Sequence, residues 1–204
     1  MPRNTSALFV VSLGLLLTIS YQCGPLTKKC SAPCSTNLPA SGSCDFANII
    51  AQHEGCCLCA YLDSLGKPTI GIGYLLESSR SAELASIGAN YNDLVSGKAG
   101  LTNDQVVQLF NKYVSSSIST ARKYFSNYDS LCCNVQQGLI DMIYDLSNGI
   151  GAWNGLRTAI QNHQWQEAAR SVANSKYCGQ VGHRCTDDQN LIGKGCSGMN
   201  PTNS

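Results

Sequence analysis

Two carboxyl side chains and a hydroxyl stand close together in the chain: Glu54, then Asp63, then Thr69, which runs directly into Ile70-Gly71-Ile72-Gly73. Hydrolysis of a glycosidic bond calls for these residue types. One carboxylic acid protonates the leaving oxygen, and a second carboxylate manages the oxocarbenium-like charge or the attacking water. A single fold runs both halves of that chemistry by giving each carboxyl its own environment. Glu54 is placed at a helix end among apolar neighbours, which suits a proton donor, whereas Asp63 is placed in a turn with free backbone donors, which suits an ionised partner. The Thr69 hydroxyl can donate and accept, so it is suited to holding a water between the carboxylate and a sugar ring. Each of these residues alone reads as a solvated surface group. Their combination is what points to chemistry.

The elements that position them follow from local pattern. Asp45 is an N-cap, Phe46, Ile49, Ile50 and His53 recur at helical spacing, and Gly55 is the stop, so Glu54 sits in the last helical turn. Gly66-Lys67-Pro68 is turn chemistry, and Thr69 to Leu75, rich in β-branched residues and glycine, predicts strand and hairpin. Residues 77–100 hold helical fragments. Thr102 and Gln105 form a capping box ahead of Val106, Val107, Leu109, Phe110 and Tyr113. Helical patterns recur over Val135 to Leu146 and Gln164 to Ala173, separated by the link Asn148-Gly149-Ile150-Gly151 and a loop at Trp153. Trp153 and Trp165 are expected core anchors. No repeat of 20 to 50 residues suggests a solenoid.

A chain of 204 residues, 43% hydrophobic and 13% charged, is globular. The expected fold is α+β and mostly α, two-lobed, with a small helix-and-hairpin lobe over about residues 45–100, a larger helical lobe over about 101–196, and a substrate cleft between them. Residues 1–20 carry Arg3 and an apolar run from Ala7 to Leu17. That run is too short to span a bilayer and reads as a secretory signal cleaved near Ser20 or Tyr21. All twelve cysteines follow it, and an even count in a secreted chain reads as a disulfide framework of six bridges. Cys56-Cys57 and Cys132-Cys133 should each send their two thiols to different partners. Residues 21–44, with four cysteines and three prolines, form a stapled extension too short for its own core, better read as a clamp than as a recognition module. Fourteen basic residues, one of them Arg3 in the leader, against 13 acidic ones leave no basic patch for nucleic acid and no global attraction to an anionic surface.

Glu54-Gly55, Asp63 and Thr69-Ile70-Gly71-Ile72-Gly73, with both spacings, resemble the catalytic motif of the phage-type lysozymes, glycoside hydrolase family 24. The resemblance continues through Leu101 to Phe110-Asn111, through Leu139 to Tyr144, and through Trp165 to Tyr177, and it spans about residues 46 to 190. It implies that Glu54 is the proton donor, Asp63 the second carboxylate and Thr69 the residue that positions water. It also implies that Leu75 and Tyr144 line the saccharide cleft and that Arg184 pairs with the glutamate. The implied activity is inverting hydrolysis of bacterial peptidoglycan between N-acetylmuramic acid and N-acetylglucosamine by a secreted, cofactor-free monomer that inserts into no membrane. Tyr74 stands where many members carry histidine, which predicts a difference in stability rather than in chemistry. The cysteine clusters and residues 21–44 have no counterpart in the minimal phage form.

Other signals are weaker. His53-Glu54 opens like a zinc-protease motif but no second histidine follows, and Cys56 and Cys59 have metal-ligand spacing that an oxidising compartment disfavours. Gly71-x-Gly73 lacks the βαβ context of a dinucleotide loop. His53, His163 and His183 lie in no nucleophile motif. Asn4, the one glycosylation acceptor, falls in the leader. Two alternatives to a muramidase remain open: a noncatalytic sugar-binding module on the same scaffold, and a glycosidase acting on chitin.

Overall fold

The computed structural model describes residues 22–34 and 44–198. The leader expected over residues 1–20, with Asn4, lies outside them, as does part of the extension. The fold is α+β and mostly α. Helix α1 (Phe46–Glu54) leads into strands β1 (Cys57–Leu62), β2 (Pro68–Gly71) and β3 (Tyr74–Leu75), which form one antiparallel sheet in the order β1-β2-β3. Helices α2 (Ser81–Ser86), α3 (Tyr91–Val95), α4 (Asn103–Tyr124), α5 (Cys133–Leu146), α6 (Asn154–Gln161), α7 (Trp165–Ala173), α8 (Lys176–Val181) and α9 (His183–Lys194) follow.

Local chemistry explains the boundaries. The Asp45 side chain accepts from the Asn48 amide at 3.2 Å to start α1, and Gly55 ends it at φ +69°, where a Cβ would be strained. Thr102 and Gln105 cap α4 reciprocally, as their spacing predicts. The α4 residues Val106, Leu109, Phe110, Val114 and Ala121 share the buried stripe of an amphipathic helix. Helix α5 is buried over most of its circumference through Val135, Leu139, Ile140, Met142 and Ile143, and it packs against α1, α4 and α9 as the centre of the helical part. Gly138 permits a close approach of α9, since a Cβ there would meet Ile192 Cγ1 at 2.9 Å. Trp153 and Trp165 are both partly buried against the core, as expected of anchors.

Six disulfides join all twelve cysteines: Cys23–Cys59, Cys30–Cys57, Cys34–Cys56, Cys44–Cys133, Cys132–Cys196 and Cys178–Cys185. Each adjacent pair diverges to two partners, as the geometry of neighbouring thiols requires. The first three bridges tie the extension to β1 and to Cys56 just before it. The Leu58 amide donates to Ala32 O at 2.7 Å and the Leu62 amide to Thr27 O at 2.8 Å, so residues 27–34 cover the outer edge of β1. A bare edge would invite pairing with other chains, and this clamp removes it. The wealth of bridges fits a protein of an oxidising, extracellular setting. No described helix is long and apolar enough to cross a membrane.

Candidate active site

Glu54 is the last residue of α1, and three elements reach it. From α9, Arg184 Nη1 donates to Glu54 Oε1 at 2.5 Å, the pairing implied by the resemblance. From the turn between β2 and β3, Gly73 lies flat against the carboxyl group: a Cβ at position 73 would come within 2.7 Å of Glu54 Cδ, and the backbone there has φ +66°. From α5, Tyr144 donates its hydroxyl to Ile72 O at 2.7 Å and so fixes the turn that carries Gly73. The glycine therefore serves two demands, a left-handed backbone and room for the glutamate.

Arg184 is itself held. Its Nε and Nη2 donate to the two carboxylate oxygens of Asp141 at 3.0 and 2.9 Å, and Nη2 also reaches the Asp141 carbonyl. The close α5–α9 contact at Gly138 sets up this meeting one turn further on. Gly182 (φ +57°) breaks the chain between α8 and α9, and the Cys178–Cys185 bridge pins the first turn of α9 beside Arg184. Burial opposes ionisation of Asp141, but the hydrogen bond from His53 and the charge of Arg184 outweigh it and hold the carboxyl below its ordinary range. His53 Nδ1 lies 2.8 Å from Asp141 Oδ2 and Nε2 lies 3.1 Å from Asp187 Oδ2. The Asp141 bond raises the His53 pKa first of all, burial lowers it, and Asp187 raises it again, for a net rise. Asp188, fully buried, accepts from Tyr177 at 2.7 Å. Burial and the neighbouring Asp141 charge push the Asp188 carboxyl up to about 9.

Asp63 follows β1 and has a local environment. Its Oδ1 accepts from the Leu65 and Lys67 amides at 2.8 Å each, the free turn donors expected of it. Tyr61 lies within electrostatic reach of both carboxylates: burial raises its pKa most, and the charges of Glu54 and then Asp63 add to that rise. Strand register extends the array, because Tyr61 pairs with Thr69 and Thr69 with Leu75, which puts the three on one face of the sheet while Ile70 and Tyr74 point to the core on the other. Thr69 is buried and its hydroxyl donates to Lys67 O at 3.2 Å, which leaves its lone pairs for a second partner.

The structure thus brings Glu54, Arg184 and Gly73 together with Tyr144 holding the turn, and sets Tyr61, Thr69 and Leu75 on one face of the sheet with Asp63 just beyond β1; Tyr61 is the residue that feels the charge of both acids. Tyr144 is half-buried, with its ring against Phe110 and Tyr113 and its hydroxyl engaged by Ile72, so it joins the helical part to the sheet. Tyr74 finds its own partners, Glu83 at 3.1 Å and the edge of Tyr113. A groove of about 710 Å³ around Trp153 and Tyr177, and one of about 380 Å³ between α1 and α9, contain none of Glu54, Asp63 and Thr69. The expected cleft is neither of these. Sequence reasoning missed His53, Asp141, Asp187 and Asp188. A carboxyl embedded in Leu139-Ile140-Asp141-Met142-Ile143 was the available signal, since acids in such runs are seldom buried without a partner. No protein-family model matches the chain.

Proposed function

We propose that the protein is a secreted muramidase of the phage-type lysozyme kind, which hydrolyses the β-1,4 bond between N-acetylmuramic acid and N-acetylglucosamine in bacterial peptidoglycan. The observation that carries this reading is the setting of the two acids: Glu54 gripped by Arg184 and Gly73, Asp63 gripped by turn amides, and Tyr61 within electrostatic reach of both. A sugar-binding module has no use for two carboxylates held in such different ways.

In the proposed reaction Glu54 delivers a proton to the bridging oxygen as the bond to the anomeric carbon breaks, and Asp63 accepts a proton from the water that attacks the opposite face. Thr69, on the face shared with Tyr61, orients that water through its remaining lone pairs. Arg184 fixes the orientation of the Glu54 carboxyl. Inversion requires room for the water, with carboxyl groups about 6.5–9.5 Å apart rather than about 5 Å.

The test is reducing-end release from purified peptidoglycan and from chitin oligomers, with the anomer of the fresh product followed by NMR. Release from peptidoglycan with inverted configuration is expected. Release from chitin alone, or from neither polymer, would overturn the assignment.

A further inference from the structure

We propose that His53 is a positioning residue for Glu54: as an imidazolium it ties the end of α1 to both α5 and α9, and loss of its proton releases the tie. The inference rests on the hydrolytic reading above. Both ring nitrogens face carboxylate oxygens, Asp141 Oδ2 at 2.8 Å and Asp187 Oδ2 at 3.1 Å. A neutral imidazole has one N–H, so only the protonated ring satisfies both contacts as a donor. Deprotonation turns one contact into a lone pair facing an anion.

The two partners differ in what they can do next. Asp141 is fully buried, bound by two Arg184 nitrogens, and has nowhere to move. Asp187 is more than half exposed and free to turn into solvent. The tie lost is therefore the one from α1 to α9, the helix that also carries Arg184. The charged groups facing His53 are Asp141 from α5, and Asp187 and Arg184 from α9, while its chain neighbour on α1 is Glu54. Two anions against one cation keep the proton in place, and the net rise in its pKa agrees. Loosening the last turn of α1 moves the carboxyl relative to Gly73 and Arg184, a displacement to which an oriented proton transfer is sensitive.

The experiment compares wild type with His53→Gln and Asp187→Asn across pH 5 to 9, on peptidoglycan and by NMR titration of the His53 ring. The wild-type to His53→Gln kcat ratio is read at the pH where the His53 ring itself titrates, which separates its effect from titration of the reacting carboxyls. Below the His53 pKa this ratio is expected to be about tenfold, a few ångström-tenths of misplacement being costly, and to fall toward one above it, with KM little changed. In the exposed-site variant Asp187→Asn, both the ring titration and the fall in wild-type advantage should move to lower pH by about half a unit or more. A ratio constant with pH would reduce His53 to a structural role and overturn the proposal, as would a ring that titrates at or below the ordinary histidine value. A raised ring titration that responds to Asp187→Asn in a protein inactive on peptidoglycan would keep the tie and sink the muramidase reading instead.

Discussion

The two acids of the site are positioned by opposite strategies. Asp63 is held by amides two and four residues away, within a turn that its own sequence encodes. Glu54 is held by Arg184, 130 residues further along the chain, which is in turn held by Asp141 from a third element. A locally encoded carboxylate tolerates change elsewhere in the molecule. A carboxyl gripped across three helices depends on the packing of the whole helical part.

This contrast is open to attack from both sides. The largest effect on stability is expected from Arg184→Met, which strands Asp141 without its two guanidinium bonds in a buried site; loss of one partner from such a pair costs about 3–5 kcal/mol. Urea unfolding measures it, and a change under 1 kcal/mol would show the grip on Glu54 to be incidental. Gly73→Ala should come next, at about 1–3 kcal/mol from the left-handed backbone alone, with a fall in turnover because the new methyl displaces the Glu54 carboxyl. Unaltered kcat in that variant would mean that the Glu54 carboxyl is not where the chemistry needs it. Asp63→Asn should leave stability within about 1 kcal/mol, since the amide oxygen still accepts from Leu65 and Lys67, while turnover drops about a hundredfold or more. Equal damage to stability from Asp63→Asn and Arg184→Met would erase the distinction between local and distant positioning.

The remaining effects are those of pH. The folded-state pKa of His53 is raised, so its stabilisation is fully present below about 6.5, the ordinary value, and is lost as pH rises through the raised value. Asp188 runs in the same direction for a different reason, as a carboxyl whose folded pKa is raised by burial to about 9. Unfolding releases its proton, so stability declines as pH climbs from the ordinary carboxylate range toward that value. Asp188→Asn mimics the protonated form and should flatten this decline, seen as a weaker pH dependence of Tm between pH 5 and 8. A dependence unchanged from wild type would show that Asp188 is ionised in the fold.

What the sequence disclosed follows the same division. The α1 caps at Asp45 and Gly55, the Thr102–Gln105 box, the Gly66-Lys67-Pro68 turn and the divergence of Cys56 from Cys57 are all set by residues within a few positions of one another, where backbone chemistry decides. The Arg184–Glu54 pair was foreseen only through the family resemblance. The His53–Asp141–Asp187 array was not foreseen at all, because its members stand 88 and 134 residues apart and meet only once α1, α5 and α9 have packed. The disulfide partners were closed to inspection for the same reason, and so was the clamp's course along β1, which depends on backbone hydrogen bonds that leave no trace in residue type.

The central claim is that Glu54 donates the proton that breaks a bond in peptidoglycan. It is tested most directly by the rate of reducing-end release from purified peptidoglycan for wild type and for Glu54→Gln, with circular dichroism to establish that the variant folds. A folded variant slowed by about a hundredfold to ten-thousandfold is the predicted result. A folded variant that retains most of the wild-type rate would contradict the account.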